Sequence, residues 1–492
     1  MRSRVTSLRL PLVAVAIVCV CVAATAGSSA LAAVRSHKHA VINTSTTLPL
    51  RTAIFDPFLF GSPQQSQAFD LVHSAGGSYV RVLVRWFTIA PLVLPDVFDP
   101  TNPNDPNYLW SQLDDTVEAA VAAGVTPILD IEGAPAWAWD VQPVGSSGGT
   151  PNSTDLGEFA TALAAHYDGM HGPPAVHVFQ VWNEPNLSLD LTPVDPNAYR
   201  DMVNAVADSV HAVDPANLVV AGGMDPFANT SARFHTMAPL TFMRGLLCLS
   251  KGAKPHVTCN TPVHFDIWAH HPYTFQGPFG HAKSADDVSL GDLPRMNALL
   301  QAAIKLHQVV SAHPVQFWVD EFSWDTNPPR RSAAPPALEA RWTAEAFHEM
   351  WLSGVSLVTW FMLQDQPGTN PYQSGLYFTS PTLASAKAKP MRTAYRFPFV
   401  AYLGKKGTVS VWGRDATSSP ATVAIQQQHN GKGKWKTVAK IKANRYGIFL
   451  ATLKLKATAK DWLRASAPGS GNALPFSLTP PSPKLRYGPF GN

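Results

Sequence analysis

From residue 52 onward the chain alternates between two textures. Short apolar, β-branched runs at 53–56, 79–84, 126–131, 176–182, 217–221, 264–268, 315–320 and 355–361 are separated by longer segments. In those segments, among them 113–123, 156–167, 199–213, 296–310 and 338–352, apolar residues recur at helical spacing. The short runs read as parallel strands covered on both faces, and the amphipathic segments as the helices that cover them. Eight such units in succession predict an α/β fold, a closed (β/α)8 TIM barrel over residues 51–400. The excess over a bare barrel lies in long loops after strands three, five, six and seven, at 142–153, 225–262, 275–293 and 326–336. Active sites of such barrels are built at the carboxyl ends of the strands, where those loops emerge.

After Phe399 the texture changes to short alternating runs at 408–412, 421–427, 435–441 and 447–455, with Gly, Ser and Asn between them. This predicts a small C-terminal all-β sandwich over 401–480, followed by a flexible Pro- and Gly-rich tail at 481–492. At the other end, Arg2, Arg4 and Arg9 precede an apolar run at 11–24, and Ala30-Leu31-Ala32 offers a small-residue cleavage site. Residues 1–33 therefore read as an export signal, followed by an N-terminal linker at 34–50. The apolar run is short of the roughly 20 residues that span a bilayer. The expected location is outside the cell or at its wall.

Charge and cysteine content refine this picture. Residues 401–492 hold 15 basic and 2 acidic side chains, whereas residues 34–400 hold 20 bases against 32 acids. Such a division fits a basic module held to an anionic cell-wall polymer, beside an acidic body with another task; a solvated basic face without a partner reads equally well. Nothing in the pattern calls for nucleic acid, and a monomer is expected. Cys19 and Cys21 fall within the signal, so Cys248 and Cys259 remain as an expected disulfide in an oxidising compartment. No Cys/His cluster has zinc spacing.

The sharpest local signal is Val181-Trp182-Asn183-Glu184-Pro185-Asn186, an apolar strand that ends in an acid and a proline. A second is Phe317-Trp318-Val319-Asp320-Glu321-Phe322, at the end of strand seven where Glu184 ends strand four. Either alone is compatible with a surface turn. Together they suit glycosidic bond cleavage, which needs a proton for a poor leaving group and an anion to meet the oxocarbenium-like centre. At a separation of about 5–5.5 Å the second carboxylate attacks carbon directly and the outcome is retention. That chemistry needs no metal and no cofactor.

On these motifs the chain resembles glycoside hydrolase clan A, and within it families 39 and 5, over residues 50–400. The resemblance implies a retaining (β/α)8 glycosidase with Glu184 as acid/base, Glu321 as nucleophile and Asn183 on the sugar 2-hydroxyl. It further implies that Arg81, in Val80-Arg81-Val82, orients the nucleophile. In His271-Pro272-Tyr273 it implies that Tyr273 hydrogen-bonds the nucleophile, although His270 beside His271 leaves two registers open. Trp360, ending strand eight, is placed like the clan's aromatic floor for the reacting sugar. Trp137, with Trp139, Phe275 and Trp324, stands where a cleft rim is expected, Trp137 as a subsite residue. The alternatives are a metal hydrolase gathering His270, His271, Asp225, Asp320 and Glu321, and a non-catalytic cell-wall carbohydrate-binding protein on a barrel scaffold.

Overall fold

The computed structural model describes residues 40–170, 172–230, 234–368, 371–417, 420–482 and 485–490; the export signal read at 1–33 lies outside them. Eight strands pair in parallel, in chain order, and close into a barrel. They are β1 (Arg51–Phe55), β2 (Tyr79–Arg85), β3 (Thr126–Glu132), β4 (Val178–Val181), β5 (Leu218–Met224), β6 (Ile267–His270), β7 (Gln316–Phe322) and β8 (Val355–Phe361). Helices such as Ser153–His166, Pro196–Val213 and Pro336–Leu352 cover the outside.

Strand alternation sorts the residues into two cores. Val80, Val82 and Val84 of β2 pack with the helix layer, as do Val319 and Val358 of β7 and β8. The intervening set, Ala53, Ile128, Val178, Val220, Ala269, Trp318 and Leu357, fills the barrel interior. Two residues further along each strand, the same inward parity delivers Phe55, Arg81, Asp130, Gln180, His271 and Asp320. The inward column is apolar in the barrel body and mostly polar at the mouth, so the fold itself gathers these groups.

The C-terminal module begins with the strand Phe399–Leu403, which pairs with Thr408–Arg414 and through it with Ile448–Lys454. A second sheet holds Thr422–Gln428, Lys436–Lys442 and Trp462–Ala467. It also takes in Val41–Asn43, which pairs in parallel with Lys436–Lys442. The stretch expected as a linker at 34–50 thus contributes a strand to the far module, and the module starts before the expected boundary at 401. Trp412 lies 5.8 Å from Trp351 and 5.1 Å from His348, both on the helix Pro336–Leu352. Buried Arg414 donates to Thr52 Oγ1 of β1 at 3.2 Å. The module is thereby packed onto the barrel. Cys248 and Cys259 form a disulfide with their Cα atoms 5.2 Å apart.

Candidate active site

Arg81 organises one half of the barrel mouth. Its guanidinium is 1% exposed and donates to Asp130 Oδ2 at 2.9 and 2.7 Å, to Asn183 Oδ1 at 2.8 Å and to Glu321 Oε2 at 3.1 Å. Burial works against the cation, but Asp130, Asp320 and Glu321 outweigh it and push the guanidinium higher still, so it stays charged. A buried charge is tolerated only when its donors are spent this fully. The other oxygen of Glu321 accepts from the Tyr273 hydroxyl at 2.8 Å. Burial pushes the Glu321 carboxyl up, His271 and Arg81 pull it back, and nearby Glu184 adds to the push.

Glu321 breaks the alternation that places its neighbours. Asp320 takes the inward position, and the register against β8 shifts between Val319 and Phe322, which brings Glu321 to the mouth as well. Glu184 arrives by a different device. The chain leaves β4 through left-handed backbone at Trp182 (φ 66°) and Glu184 (φ 35°), conformations unusual for side-chain-bearing residues and concentrated at functional sites. The Glu184 amide donates to the Gly223 carbonyl of β5 at 3.0 Å. Gly223 itself sits at φ 61°, and a Cβ there would stand 2.8 Å from Asp320 Oδ2, so only glycine fits.

His271 joins the two halves. Its Nδ1 lies 2.8 Å from Glu184 Oε1, and its Nε2 lies 3.4 Å from Asp320 Oδ2, which also accepts from Gln180 at 2.9 Å. Burial alone would lower the imidazole, yet the charges of Asp320 and Glu321, with hydrogen bonds to Asp320 and Glu184, hold it well above the ordinary histidine range. Its Nδ1 is placed to share a proton with Glu184 Oε1. Asp320 is correspondingly held below the usual carboxylate range, the charge of His271 outweighing burial. His270 points the other way: its Nε2 meets the Val288 carbonyl at 2.9 Å, and burial drives it down to about 4. Of the two registers, the structure brings His271 to the mouth.

Trp360, expected as the aromatic floor, is not at the mouth. Trp360 is fully buried and spends its indole N–H on the Ser374 carbonyl at 2.8 Å. It shares the outward parity of Val358 and faces the helix layer; Phe361, one residue on, faces the mouth, 5.6 Å from Phe55 and 5.1 Å from Tyr372. Trp137 donates to the Pro91 carbonyl at 2.8 Å and sets its edges against Trp86 and Phe98, so it braces the loop after β2. Trp324 is likewise core, whereas Phe275 is 43% exposed.

Three loop residues join the site, of which the sequence reading named only Asp225, and that as a metal ligand. Asp190, which accepts from Asn183 at 3.4 Å, is raised well above its ordinary value by burial and by Glu184. Burial, and then Glu184, push Asp225 up to about 8. Tyr372, in left-handed backbone at φ 72°, feels the charges of both Glu321 and Glu184. All three lie in loops, where no periodicity marks a facing direction; a lone acid or tyrosine in a polar stretch carries no sequence signal. Among the described residues, no group of three or more His, Cys, Asp or Glu side chains is arranged to hold a metal ion.

Residues 37–332 match the family described as Cellulase (glycosyl hydrolase family 5). Among solved structures the chain is similar to a monomeric beta-xylosidase from Caulobacter crescentus CB15, with 16% identity and a TM-score of 0.51 over 86% of this chain and 98% of that one. It is also similar to a conserved exported protein from Bacteroides fragilis, with 12% identity and a TM-score of 0.50 over 84% of this chain and 100% of that one. At these identities the likeness speaks for the fold alone. No curated protein matches the chain.

Proposed function

The chain belongs to the cellulase family, glycosyl hydrolase family 5, within clan A, and from that premise we propose that it is a secreted retaining enzyme for β-linked, or equivalent 1,2-trans, glycosidic bonds of an oligo- or polysaccharide. The observation that carries this reading is the unequal treatment of two glutamates at one barrel mouth. Glu321 accepts hydrogen bonds on both oxygens, from Arg81 and Tyr273, which favours a fixed carboxylate. Glu184 has one oxygen on His271 and is 17% exposed, leaving the other oxygen open to a substrate.

In the first step Glu321 bonds to the anomeric carbon while Glu184 gives its proton to the departing glycosidic oxygen. The bond to the leaving group breaks with its electron pair on that oxygen. In the second step Glu184 takes a proton from water, whose oxygen attacks the same carbon and expels Glu321. Arg81 and Tyr273 keep the nucleophile oriented throughout, and His271 does the same for the acid. Asn183, tied to Arg81 through its carbonyl oxygen, has its amide N–H2 turned to the Asp190 side, where a sugar hydroxyl would compete for it.

The test is stereochemical. Proton NMR of the first-formed hemiacetal, followed before mutarotation, should show the anomer of the substrate; the inverted anomer removes Glu321 as nucleophile. The basic C-terminal module is proposed to hold the enzyme at an anionic wall polymer. Exposed Lys405, Lys406, Lys432, Lys434, Lys436 and Lys442 support that reading. Co-sedimentation with polygalacturonate should be strong at low salt and lost at high salt. Equal retention at both would remove the electrostatic role.

A further inference from the structure

The tail expected to be flexible at 481–492 is, over residues 485–490, part of the barrel mouth. The Asp325 amide donates to the Pro489 carbonyl at 2.7 Å, and the Asp325 carboxylate accepts from the Gln373 amide at 2.7 Å. One residue thus ties the loop after β7, the loop after β8 and the C-terminus together. Gly488 and Pro489 are buried, and Tyr487 packs 6.0 Å from Trp342. This anchoring delivers Phe490 to 4.8 Å from Tyr273 and 5.6 Å from Tyr372, yet leaves its ring partly exposed.

We propose that the C-terminal segment is a wall of the substrate cleft and that Phe490 stacks on a sugar ring, an inference that rests on the glycosidase reading above. Tyr273 holds the nucleophile, and Tyr372 lies within the fields of both glutamates, so a ring wedged between the two borders the reacting centre. Tyr372 is kept in a left-handed conformation that bulky residues avoid, with Phe361 on one side and Phe490 on the other. Such strain persists where the surroundings dictate a side chain's direction. Tyr372 and Phe490, both partly exposed, present aromatic surface on the β6-to-β8 side of the mouth beside buried Tyr273 and Phe361, suited to the C–H face of a pyranose or furanose. The same segment continues as one side of a cavity of ≈ 450 Å³ shared with Phe227 and Phe275, within the size range of small-molecule sites.

The experiment measures binding apart from turnover. In a Glu321→Gln background, the dissociation constants of cellotetraose and xylotetraose are obtained by calorimetry, with Phe490 intact, as Phe490→Ala and as Phe490→Tyr. We expect Phe490→Ala to weaken the better ligand about tenfold and Phe490→Tyr to restore it to within about threefold. An affinity unchanged by Phe490→Ala, or no binding of either sugar to the parent, overturns the proposal. Turnover by the wild-type enzyme is assayed separately. Binding that depends on Phe490 in a chain that hydrolyses neither sugar nor any aryl glycoside would sink the glycosidase reading and spare the wall.

Discussion

Glu321 at the end of β7 and Glu184 beyond β4 both follow runs of apolar residues, and the protein handles them differently. At β7 the acid is still within strand geometry and is met by a guanidinium and a phenol. At β4 the chain turns through two left-handed residues and a single imidazole meets the acid, with Asp190 and Asp225 close enough to be raised by its charge. Two side chains of one type thus acquire different chemistry from their surroundings. A carboxylate held on both oxygens is fixed in one direction, while one held on a single oxygen has the other left for a substrate.

Substitutions should separate the two ends, the proposed nucleophile first. Glu321→Gln should lower kcat on an aryl glycoside by on the order of 10,000-fold while leaving polysaccharide binding in place. Retained turnover would break the comparison outright, and binding with no wild-type hydrolysis to lose would identify a carbohydrate-binding protein. Glu184→Gln should cost about 100- to 10,000-fold with a sugar leaving group, and far less with dinitrophenolate, which departs without a proton. Equal losses on both substrates would erase the distinction between the ends.

Arg81→Lys should reduce kcat/KM by about 10- to 100-fold, some 1.4–2.7 kcal/mol of transition-state stabilisation. One ammonium cannot reach Asp130, Asn183 and Glu321 together in the planar fork that Arg81 uses. His271 adds a pH dependence whose sign follows from its raised value. Its stabilising contribution is complete below the unfolded-state value of about 6.5 and is lost as pH rises through the folded-state value. The thermal midpoint should therefore fall on the alkaline side, and His271→Asn should flatten that limb; an unaltered limb would assign it to another group. The smallest catalytic effect belongs to Trp360→Phe, which should cost about 1–3 kcal/mol in denaturant stability with KM nearly unchanged. A large rise in KM would return Trp360 to the sugar site.

The contrast between Trp360 and Phe361 shows where sequence reading stops. Both are large, aromatic and at the end of β8, and hydrophobicity alone cannot rank them. The parity of the strand decides, since Leu357 lies in the interior and Val358 in the helix layer. The same alternation separates His271 from His270. The stretch expected as a loop at 225–262 holds the helix Pro239–Leu246, and the barrel stands without it because the strands on either side are plainly apolar.

What the amino-acid sequence determined by itself was the alternation of buried strands and amphipathic helices, hence the barrel, and the two strand ends that carry Glu184 and Glu321. These are legible because hydrophobic burial is periodic along the chain and the acids interrupt that period. Tertiary structure alone decided the partners of each acid, the left-handed exit from β4, the entry of Val41–Asn43 into the C-terminal sheet and the return of Phe490 to the barrel mouth. Each of these joins residues far apart in the chain through side-chain direction and loop path, and neither quantity leaves a periodic mark on the sequence.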